Sequence, residues 1–250
     1  MVNAYNMLFK RKSFHLFRGV GEISTYEVTQ LEHFFKTVKF LDEGIHTEIR
    51  IVPESETTCG RGAEYCILFY SEPRENYLRN IGYIGEQIDL YLASKDIGAL
   101  WFGIGRPKQA APDGMEFVIM MAISKMPSGQ FRKDMFKAKR KSVSEMWEGD
   151  LLPLAGIIRF APSACNTQPW SVEHRDNKLL IYRYKKPGKR GIMPADKVGF
   201  YNRIDIGIFL FFLETCLDHD GYQFTDVQYT ECAADDTERI LAAEYRIHAK

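Results

Sequence analysis

Between about Arg74 and Ile97 the apolar residues Leu78, Ile81, Ile84, Ile88 and Leu92 recur every three to four positions. That spacing predicts a long, deeply packed helix ended by Gly98. Gly82 and Gly85 lie inside it, and each costs about 1 kcal/mol against Ala in a helix, so a packing reason such as a close approach is implied. A second apolar helix is expected near Asp205 to Leu217. Residues 85–98 (GEQIDLYLASKDIG) and 207–221 (GIFLFFLETCLDHDG) follow one plan, opened by Gly and closed by an Asp- and Gly-containing turn. The echo reads either as an internal repeat or as two buried helices that Gly caps independently.

Strand patterns surround these helices. Ser24 followed by Glu27 reads as a capping box, opening a helix over about 25–40 with Val28, Leu31, Phe35 and Val38 on its apolar face. Thr47, Ile49 and Ile51 then alternate, and EYCILFY at 64–70 looks like a buried strand. ALWFGIG at 99–105 is strand or extended chain, and EFVIMMAIS at 116–124 is a core strand. LLPLAGIIRFA at 151–161 has a helical pattern. Val172–His174 and Lys178–Arg183 flank a tight turn and predict a hairpin, and Ala243, Tyr245 and Ile247 a final strand. The stretch from 131 to about 150 is the candidate boundary between halves.

The chain carries 33 Lys plus Arg against 33 Asp plus Glu over 250 residues, so nothing in its net charge attracts nucleic acid or an anionic membrane. At 45% hydrophobic and 26% charged residues it falls near the average for soluble globular proteins. Its five cysteines, Cys59, Cys66, Cys165, Cys216 and Cys232, form an odd set without a CxxC pair. That disfavours a disulfide framework and a structural metal, and a reducing cytoplasm is expected. The N-terminus lacks the pattern of a secretory signal, and the longest apolar run, Ile206 to Leu213, is far below the ~20 residues of a spanning helix.

Four segments carry groups with chemical potential. In APSACNTQPW, Ala161 to Trp170, two prolines and several amide and hydroxyl side chains interrupt an apolar pattern. Such groups suit a planar ligand with polar edges, and the same residues also describe a helix end with a proline stop. In KRKSFHLF, Lys10 to Phe17, cations and a hydroxyl alternate with apolar residues, as in a phosphate clamp or a solvated basic terminus. Residues 131–141 and 183–197 each hold six Lys or Arg against one Asp; neither interleaves aromatics to stack bases, and solvated loops are the default. Cys165 could act as a nucleophile, but no base partner is identifiable, and a small residue packed beside a ligand explains it equally. The histidines form no metal-like pattern.

Taken together, these residues resemble the nitroreductase family of FMN-dependent oxidoreductases. RKSFHLF (11–17) resembles the family's N-terminal Arg-Arg-Ser-x-Arg-x-Phe, APSACNTQPW its Ala-Pro-Ser-x-x-Asn-x-Gln-Pro-Trp, and IGYIGEQIDLYLASKDIGALWFG (81–103) its glycine-rich helix leading into a strand. Lys139, Arg140 and Lys141 stand where the family often has a late basic contact. About 150 residues separate the first two motifs, rather than the usual few tens. This is similar to a single-chain branch in which one polypeptide mimics the homodimer, and it favours the internal repeat. The resemblance implies an α+β nitroreductase-like fold, an antiparallel-rich sheet flanked by helices, with pseudo-repeated halves of approximately 1–145 and 146–250. It also implies one FMN in the cleft between halves, with no dimer needed to build the site.

Carried over by position, the resemblance assigns the FMN phosphate and ribityl chain to Arg11, Lys12 and Ser13, with Lys139 and Arg140 assisting. The flavin ring would be lined by Pro162, Ser163, Ala164, Asn166 and Gln168 and approached at N5 by the backbone near Phe102 and Gly103. His15 stands where the family motif has a further arginine and is counted with the cofactor-binding set. The implied activity is hydride transfer from NAD(P)H through FMN to a flat electron-poor acceptor, a nitroaromatic or quinone, by a ping-pong mechanism. No protein side chain is needed as acid or base, because the flavin carries the chemistry. Two other readings stand beside it: a cofactor-free binding or sensing protein of the same fold, motivated by His15, and an FMN enzyme for reductive dehalogenation or flavin breakdown. No metal, nucleic acid or membrane partner is expected.

Overall fold

A computed structural model describes residues 3–18, 21–186, 188, 190–229 and 238–249, and the chain divides into two units, Met1–Met135 and Phe136–Lys250. Cys232 and two positions of the basic 183–197 stretch, Pro187 and Lys189, lie outside the described residues.

In the first unit the chain runs α1 (Ala4–Lys10), α2 (Thr25–Phe35), β1 (Thr47–Pro53), β2 (Tyr65–Ser71), α3 (Tyr77–Ser94), β3 (Ile97–Phe102) and β4 (Glu116–Lys125). The four strands form an antiparallel sheet in the order β1-β2-β4-β3. Ser24 and Glu27 make the reciprocal capping box that opens α2. That helix stops at Phe35, short of the expected 40, because the amides of Lys36 and Thr37 turn back onto the His33 and Phe34 carbonyls in a tighter turn. The continuous apolar run of β2 follows from burial on both faces. On one face Cys66, Leu68 and Tyr70 join Phe14, Phe17, Leu100, Phe102, Met120, Ala122 and Phe131 in a single core. On the other, Phe69 stacks on Trp101 at 6.0 Å, and the Trp101 indole lies directly against Gly85 of α3. A Cβ at Gly85 would stand 2.3 Å from the indole Cη2, which is the packing reason for a glycine inside that helix.

The second unit contains α4 (Val143–Met146), β5 (Trp147–Gly149), α5 (Ala155–Ile158), β6 (Trp170–Arg175), β7 (Lys178–Tyr184), α6 (Val198–His219), β8 (Tyr222–Tyr229) and β9 (Arg239–Ala249). Its sheet has the order β5-β6-β7-β9-β8, with β5 parallel to β6 and the other neighbours antiparallel. Burial alternates along β7, where Leu179, Ile181 and Arg183 are buried between half-buried neighbours, so this sheet is covered more fully on one side. Trp170 stacks on Phe209 of α6 at 4.8 Å. The apolar stretch 151–161 yields only the four residues of α5: Pro153 lacks the N–H of a helix interior and Gly156 weakens continuation. The helix expected from Asp205 begins seven residues earlier, at Val198.

Each unit contains a hairpin, a long helix and a second hairpin, β1-β2-α3-β3-β4 in the first and β6-β7-α6-β8-β9 in the second. In each sheet the second hairpin joins the first through its later strand. The architecture is α+β with antiparallel-rich sheets and helices against them, as expected. Among the described residues no helix is long and apolar enough to cross a membrane, and no group of His, Cys, Asp and Glu could hold a metal ion.

Candidate functional site

The polar segment 161–170 folds as a compact irregular loop of the second unit. Ala164–Asn166 make one short helical turn, and Cys165, Asn166 and Gln168 take φ values of 50°, 56° and 47°. Left-handed backbone costs a residue other than Gly about 1–2 kcal/mol, so three such residues among four positions need support from their surroundings. That support comes from three directions. The Gln168 amide N–H donates to Ser163 Oγ at 2.9 Å, closing the loop on itself. From the basic stretch, Arg140 donates to Asn166 Oδ1 at 2.8 Å, Asn166 Nδ2 donates to the Lys139 carbonyl at 3.2 Å, and the Lys141 amide donates to Gln168 Oε1 at 2.8 Å. From α6, Asp205 Oδ1 accepts the Ala164 N–H at 2.8 Å while Oδ2 lies 3.4 Å from the Thr167 hydroxyl oxygen.

This geometry unites several of the sequence candidates. Lys139, Arg140, Ser163, Ala164, Asn166 and Gln168 form one cluster, and Pro162 is buried at its start. The Asn166 and Gln168 side chains serve the loop's own frame, while Cys165, Asn166 and Lys139 face solvent. Lys141 is held by donation from Nζ to the Gln168 carbonyl at 2.9 Å and lies over the Tyr184 ring at 5.1 Å; burial lowers its pKa. At Gly191, with φ 55°, a Cβ would come within 2.9 Å of the Cys165 Cβ, so that turn has to be glycine for the backbone to pass the loop.

The remaining candidates belong to the first unit. Ser13 pairs with Ala99 of β3, and the Phe14 amide donates to the Ala99 carbonyl at 3.0 Å, laying the basic segment along that strand. Lys12 and His15 are exposed; Lys12 Nζ donates to the Gln130 carbonyl at 2.9 Å. Arg11 is different: it is only 3% exposed, and its Nε donates to Asp89 Oδ2 at 2.7 Å while Nη2 donates to Ser13 Oγ at 3.2 Å. Glu86, one turn away on α3, has an oxygen 3.7 Å from the same Nε, and burial pushes its carboxyl well above the usual range. Trp101 Nε1 donates to Asp89 Oδ2 as well, at 3.0 Å. Phe102 ends β3 in the core, under the Arg61 guanidinium at 5.1 Å, and the Gly103 carbonyl accepts from Arg106 at 2.9 Å.

Sequence reasoning passed over Asp205, Asn202, Glu86 and Asp89. The signal was a carboxylate or amide inside an otherwise apolar helix, where a charged group stays only if something in the fold holds it.

A family profile described as "Putative TM nitroreductase" matches residues 3–216. No curated protein matches the sequence. Among solved structures, the chain is similar to a "putative nitroreductase" of Thermotoga maritima at 18% identity and a TM-score of 0.62, covering 98% of this chain and 93% of that one. It shows a weaker likeness to a "putative nitroreductase in complex with FMN" from Desulfovibrio desulfuricans, at 14% identity and a TM-score of 0.47 over 60% of this chain and 98% of that one. The likeness to a nitroreductase with bound FMN from Desulfitobacterium hafniense is weaker again, at 14% identity and a TM-score of 0.40 over 57% and 100%.

Proposed function

Since the chain belongs to the "Putative TM nitroreductase" family, a group of nitroreductase-type oxidoreductases, we propose that it is an FMN-dependent oxidoreductase taking hydride from NAD(P)H. The observation that carries the proposal is the 163–168 loop, braced by Lys139, Arg140 and Asp205 into a left-handed conformation. Backbone held out of its preferred regions by several independent bonds is characteristic of segments shaped for a ligand. The donor set of this unit fits the cofactor in kind. Lys139 and Arg140 bring positive charge suited to a phosphate, and the irregular backbone of the loop, which the Asn166 and Gln168 side chains hold in place, brings N–H and C=O groups of the kind a flavin's polar edge takes.

When bound, FMN supplies the redox chemistry, hydride transfer from NAD(P)H to a flat electron-poor acceptor such as a nitroaromatic or quinone in two alternating half-reactions. The residues of the loop have positioning tasks. Ser163 holds the Gln168 amide, Asn166 ties the loop to Arg140, and Pro162 fixes the backbone where the segment leaves the core. Arg11, Lys12, Ser13, His15, Phe102 and Gly103 of the first unit are kept as cofactor contacts on the resemblance alone, each tested by single substitution. The cytoplasm as its location and one FMN per monomeric particle belong to the same proposal.

The test is a titration of purified protein with FMN, followed by the flavin spectrum and by solution mass. NAD(P)H oxidation with nitroaromatic, quinone and halogenated acceptors is then measured. A saturable one-to-one spectral change and acceptor-dependent turnover are expected; protein that binds no FMN sinks the proposal. A second reading, a cofactor-free binding protein of this fold, is favoured by one observation: the Arg11 guanidinium is already engaged by Asp89 and Ser13.

A further inference from the structure

Asp205 stands in the middle of α6 and is 3% exposed. It faces the Ala164 amide and the Thr167 hydroxyl, and Thr167 Oγ1 lies 3.5 Å from Oδ1 of Asn202, one turn earlier on the same helix. Among the described residues no charged side chain offsets its burial. We propose that Asp205 is the positioning residue of the 161–168 loop and that it holds a proton while the loop is closed, so that closing the loop takes up one proton. The hydrogen bonds fit a neutral acid: its carbonyl oxygen accepts from Ala164, its hydroxyl donates to Thr167 Oγ1, and the Thr167 hydroxyl is then free to donate to Asn202 Oδ1. An anion in the same place would need Thr167 as donor and would leave Asn202 Oδ1 without that hydrogen bond, in a buried site with no cation to neutralise it.

Burial raises the Asp205 pKa from an ordinary 3.8 to about 8 in the closed loop. A carboxyl whose pKa is higher in the closed state than in a solvated open state favours closure most below the lower value and loses that effect as the pH rises to the higher one. The closed loop therefore gains on its open form as the pH falls from about 8 toward 4, by at most about tenfold per pH unit. Asn at position 205 keeps the acceptor for Ala164 and a donor for Thr167 without titrating, whereas Ala removes both.

The decisive experiment follows amide exchange in the 161–168 peptide by mass spectrometry at about pH 5.5 and about pH 8, corrected for the intrinsic pH dependence of exchange. Wild-type protein is compared with Asp205→Asn and Asp205→Ala. The wild-type peptide is expected to be at least about fivefold better protected at the lower pH, within the limit that one proton sets. Asp205→Asn should show equal protection at both, and Asp205→Ala should be unprotected throughout. An Asn variant that keeps the wild-type pH ratio overturns the proposal, as does an Ala variant protected like wild type; should the Ala variant not fold, the Asn variant decides. FMN affinity measured in parallel rests on the flavin reading, and the ratio of wild type to Asp205→Asn cancels the titration of the FMN phosphate itself. If the exchange pattern appears and FMN binds to neither protein, the flavin reading falls and the role of Asp205 stands.

Discussion

The Arg11 cluster of the first unit permits a quantitative test, replacement of Asp89 by Leu. Asp89 Oδ2 receives both Arg11 Nε at 2.7 Å and Trp101 Nε1 at 3.0 Å, and Asp89 and Arg11 are almost wholly buried. Removing one member of a buried ion pair costs about 3–5 kcal/mol, because the partner's charge is left without compensation. Here a second carboxyl is at hand. Burial, with Asp89 adding to it, pushes the Glu86 carboxyl well above the usual range; among the described residues its two oxygens accept no hydrogen bond, and one stands 3.7 Å from Arg11 Nε. With Asp89 gone, the Asp89 repulsion disappears and Glu86 ionises beside Arg11, which offsets part of the loss. Asp89→Leu alone should therefore cost about 2–4 kcal/mol.

Glu86→Gln alone should be close to neutral below the ordinary carboxyl value of 4.5, where the acid is uncharged in the folded and the unfolded chain alike. It should gain on wild type as the pH rises above the ordinary carboxyl value of 4.5, because a raised folded pKa means stability lost on the alkaline side. In the double variant no carboxylate remains to neutralise Arg11, and the loss should exceed the sum of the single losses by at least about 1 kcal/mol. Urea unfolding monitored by circular dichroism measures all three variants, with the transition of the first unit assigned by Trp101 fluorescence in a background lacking the other tryptophans. Additive losses, or an Asp89→Leu variant within 0.5 kcal/mol or so of wild type, would refute the assignment of a neutral Glu86 poised to replace Asp89.

Gly85→Ala should destabilise the protein by about 1–2 kcal/mol despite the better helix propensity of Ala, because its Cβ would meet the Trp101 indole at 2.3 Å; thermal unfolding measures this. In a Cys232→Ser background, native protein should react with one equivalent of a thiol reagent at Cys165, since Cys59, Cys66 and Cys216 are buried; three or four fast equivalents contradict this packing. Arg140→Ala should leave stability within about 1 kcal/mol, because its bond to Asn166 is exposed, yet weaken FMN binding about tenfold in a spectral titration.

What the sequence disclosed and what it hid follow from the range of the interactions involved. The three-to-four residue spacing of α3 and the capping box of Ser24 and Glu27 are local patterns, and both survive into the structure. The loop at 161–170 was legible for the same reason, as prolines and amides breaking an apolar run. By contrast, α1 is seven residues long and its cap, Asn3 accepting from the Asn6 amide, is hidden beside a conspicuous basic cluster. The edge strand β5 has three residues and exists only through its partner β6, a pairing across more than twenty residues that no local pattern carries. The second apolar helix was expected only from about Asp205, but it starts at Val198, which puts the Asp205 carboxyl in the helix interior as a buried bracket for the loop.

Each long helix thus carries a buried acid, and the two units deal with it by different means. In α3 Asp89 is met by a cation, Arg11, which fixes the N-terminal segment beside β3, while burial pushes the carboxyl of Glu86 well above the usual range. In α6 no cation is supplied, so Asp205 is neutralised by a proton, and its polar atoms are satisfied by backbone and hydroxyl groups of the 161–168 loop. The Asp205 carboxyl, raised to about 8 by burial, changes its protonation close to the physiological pH range. The first arrangement suits a fixed anchor. The second suits a loop that opens and closes, and the unit with the titrating acid is the one whose braced loop is the proposed flavin-binding segment.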